Sequence, residues 1–445
     1  MRSERAPVYD SRSCGDLGTH AANEQRVPGC LQLGYLAVGV PAVSTAADAL
    51  LRPATIRERC GNVTAAVTAG DSRHFRIDRA RLPTTAELVA GATRRRYPDL
   101  AIPYHSRWRH FAAGGVDRRG ELERALVGRS PAERARAQID LAVVSVLLDA
   151  GAGPAWGYVE AGSGERYTRS EGLGVASFRA FMQGAFSAAP DDPLRVDAAA
   201  LSTIDSARMA ALLQAGQSNP LVGLEGRAAL LRRLGRALSE RHAVSGNQAR
   251  PGALFDALAR DTGGHTVTAA AILSALLDGL NAIWLTGSAL DGVPLGDAWR
   301  HRFAGGTGAS AGWVPFHKLT QWLAYSLLEP FEWAGVTVTG CDELTALPEY
   351  RNGGLLLDTG VIALTNPGDA REARDAGDEL VVEWRALTIA LIDELAPLVR
   401  EALGCPDLPL ACILEGGTWA AGRELAQQLR NGKPPLNINS DGTVF

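Results

Sequence analysis

Carboxylates stand in two parts of the sequence where a catalytic acid or base would be useful. Asp149 directly follows the apolar run LAVVSVLL, a place where an unpaired carboxylate is unusual. A carboxylate, a phenol and a guanidinium stand together at Glu349, Tyr350 and Arg351, just before two glycines. Asp358 lies seven residues beyond Arg351, on the same face if a helix continues. A carboxylate pair suits general acid–base chemistry, whereas a salt bridge between Arg351 and Glu349 is the structural alternative.

A cluster of cationic and aromatic residues lies at 102–119, in the segment IPYHSRWRHFAAGGVDRR. Its candidate substrate ligands are His105, Arg107, Arg109 and His110. So many positive charges repel one another unless an anion or carboxylates neutralise them. The segment therefore predicts either a site for a phosphate or carboxylate, or a solvated loop that pairs with acidic residues elsewhere.

Lysine is rare in this chain, because only Lys318 and Lys433 occur among 45 basic residues. A lysine that persists against such an arginine bias suggests a place that requires a compact ammonium group. On a helix predicted to begin near Pro315, Lys318 and Gln321 share one face with Trp322 and Tyr325, which favours a polar pocket wall over a solvent-exposed face. His317, in the same segment, is a further candidate ligand. Further candidate substrate ligands near the carboxyl end are Glu415, Lys433 and Asp441.

Helical spacing dominates the elements that must position these side chains. Apolar residues recur at intervals of three and four over 132–148, 230–238, 254–258, 269–285, 319–328 and 381–403. Strand-like alternation is limited to 336–339 and 362–364. The sequence therefore predicts a mainly α protein with a few short strands. We expect a single large helical domain over 46–445, after a flexible amino-terminal extension at 1–45.

Composition narrows the classes of function. The chain has 445 residues, of which 46% are hydrophobic, so it can bury a sizeable core. A net charge of -4 argues against a nucleic-acid partner, and the longest apolar run is far shorter than the roughly 20 residues that span a bilayer. Six cysteines show no metal-ligand spacing. We expect a cytoplasmic protein that binds a small molecule without a metal or cofactor, and the sequence leaves its oligomeric state open.

Several separated motifs, in order, resemble the uracil-catabolism (Urc/Urg) protein family. They are PYHSRWRHF, SVLLDAGAG, FHKLTQWLAYSLLEP, EYRNGGLLLDTGVI, LEGGTWAAGR and SDGTVF. The resemblance covers residues 47–445 and implies a role in uracil catabolism, beside a pathway that degrades pyrimidines through a ribosylurea intermediate. It does not name the reaction.

A partial second resemblance is to the queuosine salvage proteins, which are helical nucleoside hydrolases related in shape to DNA glycosylases. It is carried by SVLLDAGAGPAW, ALDGVPLGDAW and LTALPEYRNGGLLLDTGVI. It implies a DNA-glycosylase-like fold and places the Asp-Tyr-Arg motif of that family on Glu349, Tyr350 and Arg351. Glu replaces Asp here, and small residues follow Asp149 where aromatic ones are expected. This departure implies a changed pocket that fits a small leaving group such as urea.

The two resemblances together imply an N-glycoside hydrolase that splits ribosylurea, or its phosphate, into urea and ribose or ribose phosphate. Water activation is expected from Glu349 or Asp358, and stabilisation of the ribosyl cation from Asp149. The expected hydrogen-bond or proton donors to urea are Tyr350, His317 or Lys318, and the expected phosphate ligands are Arg107, Arg109 and Arg351.

Two other functions remain open. A non-catalytic sensor of a pyrimidine metabolite, or a scaffold for the degradation pathway, would need the same polar pocket but would tolerate loss of the carboxylates. An amide or ureide hydrolase would need a metal cluster or an activated nucleophile. Ser310, in the segment GASAG, is its candidate nucleophile, but the glycine-rich loop before it does not suit a nucleophile elbow.

Overall fold

The computed structural model describes residues 45–245, 249–261, 263 and 265–439. The predicted flexible extension therefore lies outside the described residues except at Thr45, and Asp441 lies outside them too. The mainly α prediction is confirmed, because helices account for most of the described residues and each strand has only two or three. Among the described helices, none combines the length and the apolar character needed to cross a membrane. The closer likeness to DNA glycosylases stays a prediction.

Local sequence signals explain where the helices begin and end. Ser130 and Glu133 cap each other's backbone amides at the start of α6, and Pro131 occupies its first position, where no amide hydrogen is needed. Gly404 ends α15 in the left-handed conformation that glycine adopts without strain. The helices in the described ranges are α1 (Thr45–Leu50), α2 (Pro53–Ala69), α3 (Leu82–Arg96), α4 (Arg107–Phe111), α5 (Arg118–Ala125), α6 (Pro131–Leu147), α7 (Arg169–Met182), α8 (Ala198–Ser202), α9 (Ser206–Leu212), α10 (Leu224–Ser245), α11 (Ala253–Asp261), α12 (Ala269–Leu280), α13 (Lys318–Trp333), α14 (Tyr350–Asp358), α15 (Glu379–Leu403), α16 (Leu410–Ile413) and α17 (Trp419–Arg430).

The strands form separate two-stranded pairs. Parallel pairing joins β4 (Thr266–Thr268) to β9 (Thr337–Thr339). The antiparallel pairs are β1 (Phe75–Ile77) with β10 (Ile362–Leu364), β2 (Gly157–Val159) with β3 (Arg166–Thr168), β5 (Ala289–Leu290) with β6 (Val293–Pro294), and β7 (Ala298–Arg300) with β8 (Trp313–Pro315). Both strands predicted from the sequence are present, as β9 and β10. Pairs this short cannot build a core, so helices must position the site.

Three helices carry the centre of the fold. α6, α13 and α15 are buried on most of their faces, as is typical of helices inside a large core. α13 packs against α6 and α12, α15 packs against α2 and α3, and α14 packs against α17. The end of α6 and the starts of α7, α13 and α14 carry the polar side chains described next.

Candidate functional site

Asp149 follows the last turn of α6 and contacts α4 and α7. Ser170 Oγ lies 2.6 Å from each of its carboxylate oxygens, and Arg107 Nη1 donates to Oδ1 at 2.7 Å. Burial alone would raise the pKa of Asp149, but the positive charge of Arg107 and the hydrogen bonds from Ser170 and Arg107 bring it below its ordinary value. Asp149 is therefore held as an anion, which is the form that can stabilise a developing cation.

Arg107, at the start of α4, is fully buried and orients this anion. Its Nε donates to Ser145 Oγ at 2.6 Å and its Nη1 to Asp149, while Nη2 has no hydrogen-bond partner in the described part of the chain. Gly174 on α7 leaves room for this arrangement, because a Cβ there would lie 2.9 Å from His110 Cβ. The charge of Arg107 is thus matched by a carboxylate of the protein, a different role from the phosphate contact that the sequence suggested.

Glu349 caps the amino-terminal end of α14. Its Oε2 accepts a hydrogen bond from the Arg351 amide at 2.7 Å, and its Oε1 accepts one from the Asn352 amide at 2.6 Å. Burial raises the pKa of Glu349, although these amides and the charge of Lys318 oppose the shift. Within the described residues, no salt bridge joins the side chains of Arg351 and Glu349, so the contact between them runs through the backbone.

Lys318 is the first residue of α13, and its backbone amide donates to Asp297 Oδ2 at 3.0 Å. Burial lowers the pKa of Lys318 to about 8, and the positive charge of Arg385 acts in the same direction. The negative charges of Asp297, Glu349 and Asp149 act in the opposite direction. The charges of both candidate catalytic carboxylates therefore act on the ionisation of this ammonium group.

The Tyr350 phenol is influenced by the same two carboxylates. Burial raises its pKa, and the charges of Glu349 and Asp149 add to the rise. Tyr350 is nevertheless 36% exposed, and Asp149, Lys318 and Glu349 also keep some accessible surface. Titratable side chains that are desolvated, act on one another's ionisation and still keep some exposure are typical of a cleft that a small molecule can enter. We call Asp149, Lys318, Glu349 and Tyr350 the carboxylate–lysine cleft.

Aromatic rings stand beside this cleft. The His110 and Trp322 rings meet edge to face with centroids 5.4 Å apart, and the Arg107 Cζ lies 5.5 Å from the Trp322 ring centroid. The centroid of the His105 ring lies 6.3 Å from the ring centroids of both Trp322 and Trp419. Burial lowers the pKa of His110 to about 4, so this ring is neutral at pH 7. Its Nδ1 and the Trp322 Nε1 are buried without a hydrogen-bond partner in the ranges the structure describes.

Sequence reasoning did not select three of these neighbours as site residues: Ser170, Trp322 and Trp419. A signal for Trp322 was available, because it stands four positions after Lys318 and so on the same helix face. No comparable local signal marks Trp419, which reaches His105 from the far end of the chain.

Glu415 fixes the His105 ring. It lies in a widened helical turn, Leu414–Thr418, between α16 and α17. Its Oε1 accepts from Arg96 Nη2 at 2.9 Å and from the Tyr97 hydroxyl at 3.0 Å, and its Oε2 lies 2.9 Å from His105 Nδ1. Burial alone would raise the pKa of Glu415, but His105 and Arg96 bring it down to about 2. The sequence predicted a substrate ligand here, and the structure shows a carboxylate that supports the aromatic side of the cleft.

We expect Glu415 to make the protein sensitive to acid. Its pKa is about 2 in the folded state, against an ordinary value of 4.5 for a glutamate. Its contribution to stability is therefore complete above pH 4.5 and is lost as the pH falls toward 2. Glu415→Gln should lower the free energy of unfolding at pH 7 and reduce its further fall in acid, as measured by guanidinium denaturation at pH 7, 4.5 and 3.

The matched control is Glu424→Gln, which removes an exposed carboxylate paired with Arg95 on the same part of the fold. It should behave like the wild type at each pH, because exposed ion pairs contribute little. An acid-dependent loss of the same size in the wild type and in Glu415→Gln would contradict the role of this carboxylate.

Asp358 lies away from the cleft. It ends α14, where both carboxylate oxygens pair with the Arg430 guanidinium at 2.6 Å. A helix of nine residues is roughly 13 Å long, and Glu349 precedes its other end. The structure therefore does not bring Glu349 and Asp358 together, whereas Glu349 and Asp149 both influence the ionisation of Lys318 and Tyr350.

Two further predicted ligands hold the protein together instead of facing the cleft. His317 Nε2 lies 3.0 Å from the Leu50 carbonyl oxygen, which fixes α1 against the start of α13. Gln321 Nε2 donates to Thr345 Oγ1 at 2.7 Å, and both side chains are buried. In these contacts the polar groups of both side chains bind other parts of the protein and not the cleft.

The remaining predicted cationic ligands differ in their surroundings. Arg109 pairs with the buried carboxylate of Glu329, and Lys433 is exposed in the turn after α17. Arg351 is 3% exposed and stacks its guanidinium 4.8 Å from the centre of the Tyr350 ring. Its Nε and Nη1 have no hydrogen-bond partner among the described residues. In those same ranges, no three His, Cys, Asp or Glu side chains are grouped so that they could hold a metal ion.

The chain is similar to two known proteins over most of its length. It is 39% identical over 409 residues to Uracil catabolism protein 4 of Lachancea kluyveri, covering 84% of this chain and 93% of that protein. It is 38% identical over 410 residues to Protein urg3 of Schizosaccharomyces pombe, covering 89% of this chain and 98% of that protein. These matches confirm the resemblance carried by the separated motifs.

A family model also matches the chain over residues 49–445. This range includes all four residues of the carboxylate–lysine cleft and the aromatic rings beside it. The chain therefore belongs to the family described as "Protein of unknown function (DUF1688)".

Proposed function

We propose that the protein acts in uracil catabolism as an N-glycoside hydrolase that cleaves ribosylurea, or its 5'-phosphate, to urea and ribose or ribose 5-phosphate. The name of the relative from Lachancea kluyveri supports the place in uracil catabolism. One observation supports the reaction: the charges of two carboxylates, Asp149 and Glu349, both act on the desolvated ammonium group of Lys318. This is a suitable environment for breaking a C1–N bond.

Asp149 stabilises the ribose in the transition state. Cleavage of the C1–N bond builds positive charge on C1 and the ring oxygen, so a fixed anion nearby lowers the barrier. Arg107 and Ser170 keep Asp149 ionised and oriented before the substrate arrives. Such preorganisation avoids a reorganisation cost during the reaction.

Glu349 activates water. Burial raises its pKa, which makes the ionised carboxylate a better proton acceptor near neutral pH. The backbone amides of Arg351 and Asn352 hold both of its oxygens and so set the direction of the remaining lone pairs.

The leaving urea needs a proton or a hydrogen bond, because its anion is a poor leaving group. Tyr350 is suited to this role, since its raised pKa keeps the phenol protonated at neutral pH. The Trp322 Nε1 and the neutral His110 ring are suited to bind the amide groups of urea. Arg351 is suited to bind a 5'-phosphate through its Nε and Nη1 groups.

The test is to incubate the purified protein with ribosylurea and, separately, with its 5'-phosphate, and to follow urea with a coupled assay. We expect wild-type protein to release urea from one of them. Glu349→Gln should lower kcat by about 10²-fold, because it removes the proton acceptor. It should also lower the free energy of unfolding by about 1 kcal/mol, because the carboxylate caps α14. Thermal unfolding is therefore measured together with activity.

The control for this test is Glu394→Gln, which changes an exposed carboxylate paired with Arg79 and should keep full turnover. Full turnover of Glu349→Gln would remove Glu349 from the mechanism. Binding of either compound by calorimetry without urea release would contradict the hydrolase and favour a sensor or scaffold of the degradation pathway.

A further inference from the structure

We propose that Arg351 binds the 5'-phosphate of the substrate, so that the protein cleaves the phosphorylated ribosyl compound in preference to free ribosylurea. The inference rests on the proposed function, because it concerns which form of the same substrate is used. Its basis is a buried guanidinium that has no counter-charge among the described residues and stacks on the partly exposed ring of Tyr350.

Arg351 lacks the partners that a guanidinium ordinarily has inside a protein. It is 3% exposed, and its Nε and Nη1 donate to no acceptor in the described ranges. In the same ranges, no carboxylate forms an ion pair with its side chain. Burying a cation in this way is costly, because the charge is removed from water and nothing in the protein replaces the water. An unsatisfied group of this kind points to a partner that comes from outside the protein.

The other buried arginines of the described chain show what is missing. Each of them forms an ion pair with a carboxylate or donates to several main-chain carbonyl oxygens. Arg385, for example, donates to the two carboxylate oxygens of Asp297 at 2.8 and 2.7 Å. The fold therefore compensates a buried guanidinium as a rule, and Arg351 departs from that rule.

The same contrast holds among the three arginines that the sequence suggested as phosphate ligands. Arg107 pairs with Asp149 at 2.7 Å, and Arg109 pairs with the buried carboxylate of Glu329. Their charges are compensated within the protein. Of the three, Arg351 is the one whose charge has no such partner in the described chain.

The missing partner must be an anion. A guanidinium has only donors, so its partner must supply oxygen acceptors. Water can accept these hydrogen bonds but brings no charge, whereas phosphate oxygens do both. Ribosylurea is uncharged, and the 5'-phosphate is the anionic group that distinguishes the second candidate substrate from it. The surroundings of Arg351 therefore favour the phosphorylated compound.

The backbone and the ring next to Arg351 fix where this anion binds. The Arg351 amide donates to Glu349 Oε2 at 2.7 Å, and its carbonyl oxygen packs against α17, where a Cβ at Gly422 would collide with it. The guanidinium Cζ lies 4.8 Å from the centre of the Tyr350 ring, which belongs to a residue that is 36% exposed. Because exposed side chains change rotamer quickly, this ring can turn aside and admit a phosphate to the guanidinium.

A phosphate held by Arg351 positions the ribosyl group without taking part in the chemistry. The two preceding residues, Glu349 and Tyr350, are those assigned to water activation and to the leaving urea. Binding energy from the phosphate can therefore be used to place C1 against these groups. No bond of the phosphate forms or breaks, so the product is ribose 5-phosphate.

Binding of the product tests the subsite independently of turnover. Isothermal titration calorimetry compares ribose 5-phosphate, ribose and inorganic phosphate as ligands of the wild-type protein. We expect ribose 5-phosphate to bind about 10²-fold more tightly than ribose, the effect expected of hydrogen bonds to a charged group. Equal affinities for these two compounds, or no binding of ribose 5-phosphate, would overturn the proposal. Equal affinities for ribose 5-phosphate and inorganic phosphate would do so too, because the site would then take a free anion.

Arg351→Gln removes the charge, and Arg423→Gln is its matched control. Arg423 is exposed beside the Trp419 ring, and its charge is already paired with Glu171 at 3.1 Å. Arg351→Gln should lower kcat/KM for the 5'-phosphate by about 10²-fold and that for ribosylurea much less. Arg423→Gln should change either value by less than about threefold. Equal losses for both compounds in Arg351→Gln, or equal losses in the two variants, would contradict the phosphate contact.

Thermal unfolding without ligand controls for the fold. Arg351→Gln should be at least as stable as the wild type, because it removes a buried charge that has no partner. A large loss of stability would show that the protein itself compensates this charge, and would overturn the proposal. Binding of ribose 5-phosphate that depends on Arg351, without urea release from either compound, would contradict the hydrolase and leave the phosphate subsite in place. Equally fast urea release from ribosylurea and its 5'-phosphate would leave the hydrolase in place and overturn the subsite.

Discussion

Asp149→Asn will lower the kcat for urea release by about 10³-fold, because it removes the negative charge that opposes the developing ribosyl cation. Asparagine keeps the shape of the side chain and an oxygen that can accept from Ser170. The Michaelis constant should change much less than kcat, since the lost interaction is strongest in the transition state. The same substitution leaves Arg107 buried without its counter-charge, so we also expect a loss of about 3–5 kcal/mol of stability.

The matched variant for this prediction is Ser170→Ala, which removes a hydrogen bond to Asp149 and keeps both charges of the ion pair. Steady-state kinetics should show a much smaller loss of kcat than for Asp149→Asn. Thermal unfolding of both variants identifies the fraction of folded enzyme at the assay temperature. Equal losses in kcat would show that orientation, and not the charge of Asp149, is what the reaction requires.

Asp297→Ala will lower the free energy of unfolding by about 3–5 kcal/mol. Asp297 is 3% exposed and accepts hydrogen bonds from Arg385, Trp299 and the Lys318 amide. The substitution leaves the buried Arg385 guanidinium without this partner and frees the start of α13. Urea release should fall as well, because Lys318 is no longer held in place.

Guanidinium denaturation measures this change directly. Asp297→Asn keeps the size of the side chain and some of its hydrogen bonds, so its loss should be smaller. Glu394→Gln, at the exposed pair with Arg79, should cost less than about 1 kcal/mol. A cost for Asp297→Ala no larger than for Glu394→Gln would contradict the supporting role of the buried ion pair.

Much of the helical framework was predictable from the sequence, because the signals are local. Intervals of three and four between apolar residues predicted helices that the structure shows as α6, α13 and α15. The residues of the carboxylate–lysine cleft were also recognisable, since each is a charged or phenolic residue beside a helix boundary. Asp149 follows an apolar run, Lys318 opens a helix, and Glu349 precedes one.

The partners of charged residues were not predictable, because they are distant in the sequence. Asp358 pairs with Arg430, 72 positions away, and Arg109 pairs with Glu329, 220 positions away. In their local sequence, these residues look like those of the cleft, because they too are charged residues at or near the end of a helix. Only the packing of α14 against α17, and of α4 against α13, shows which charges are matched within the protein.

The sequence by itself determined that this protein is mainly helical and which residues could do chemistry, because helix periodicity and residue type are properties of short segments. The tertiary structure decided which of those residues act together. Asp149, Lys318 and Glu349 come from three separate helix boundaries, and their charges act on one another only because α6 packs against α13 while α14 packs against α15 and α17. Burial in that cleft then sets the pKa of each group, because the cost of holding a charge depends on its surroundings and not on its neighbours in sequence.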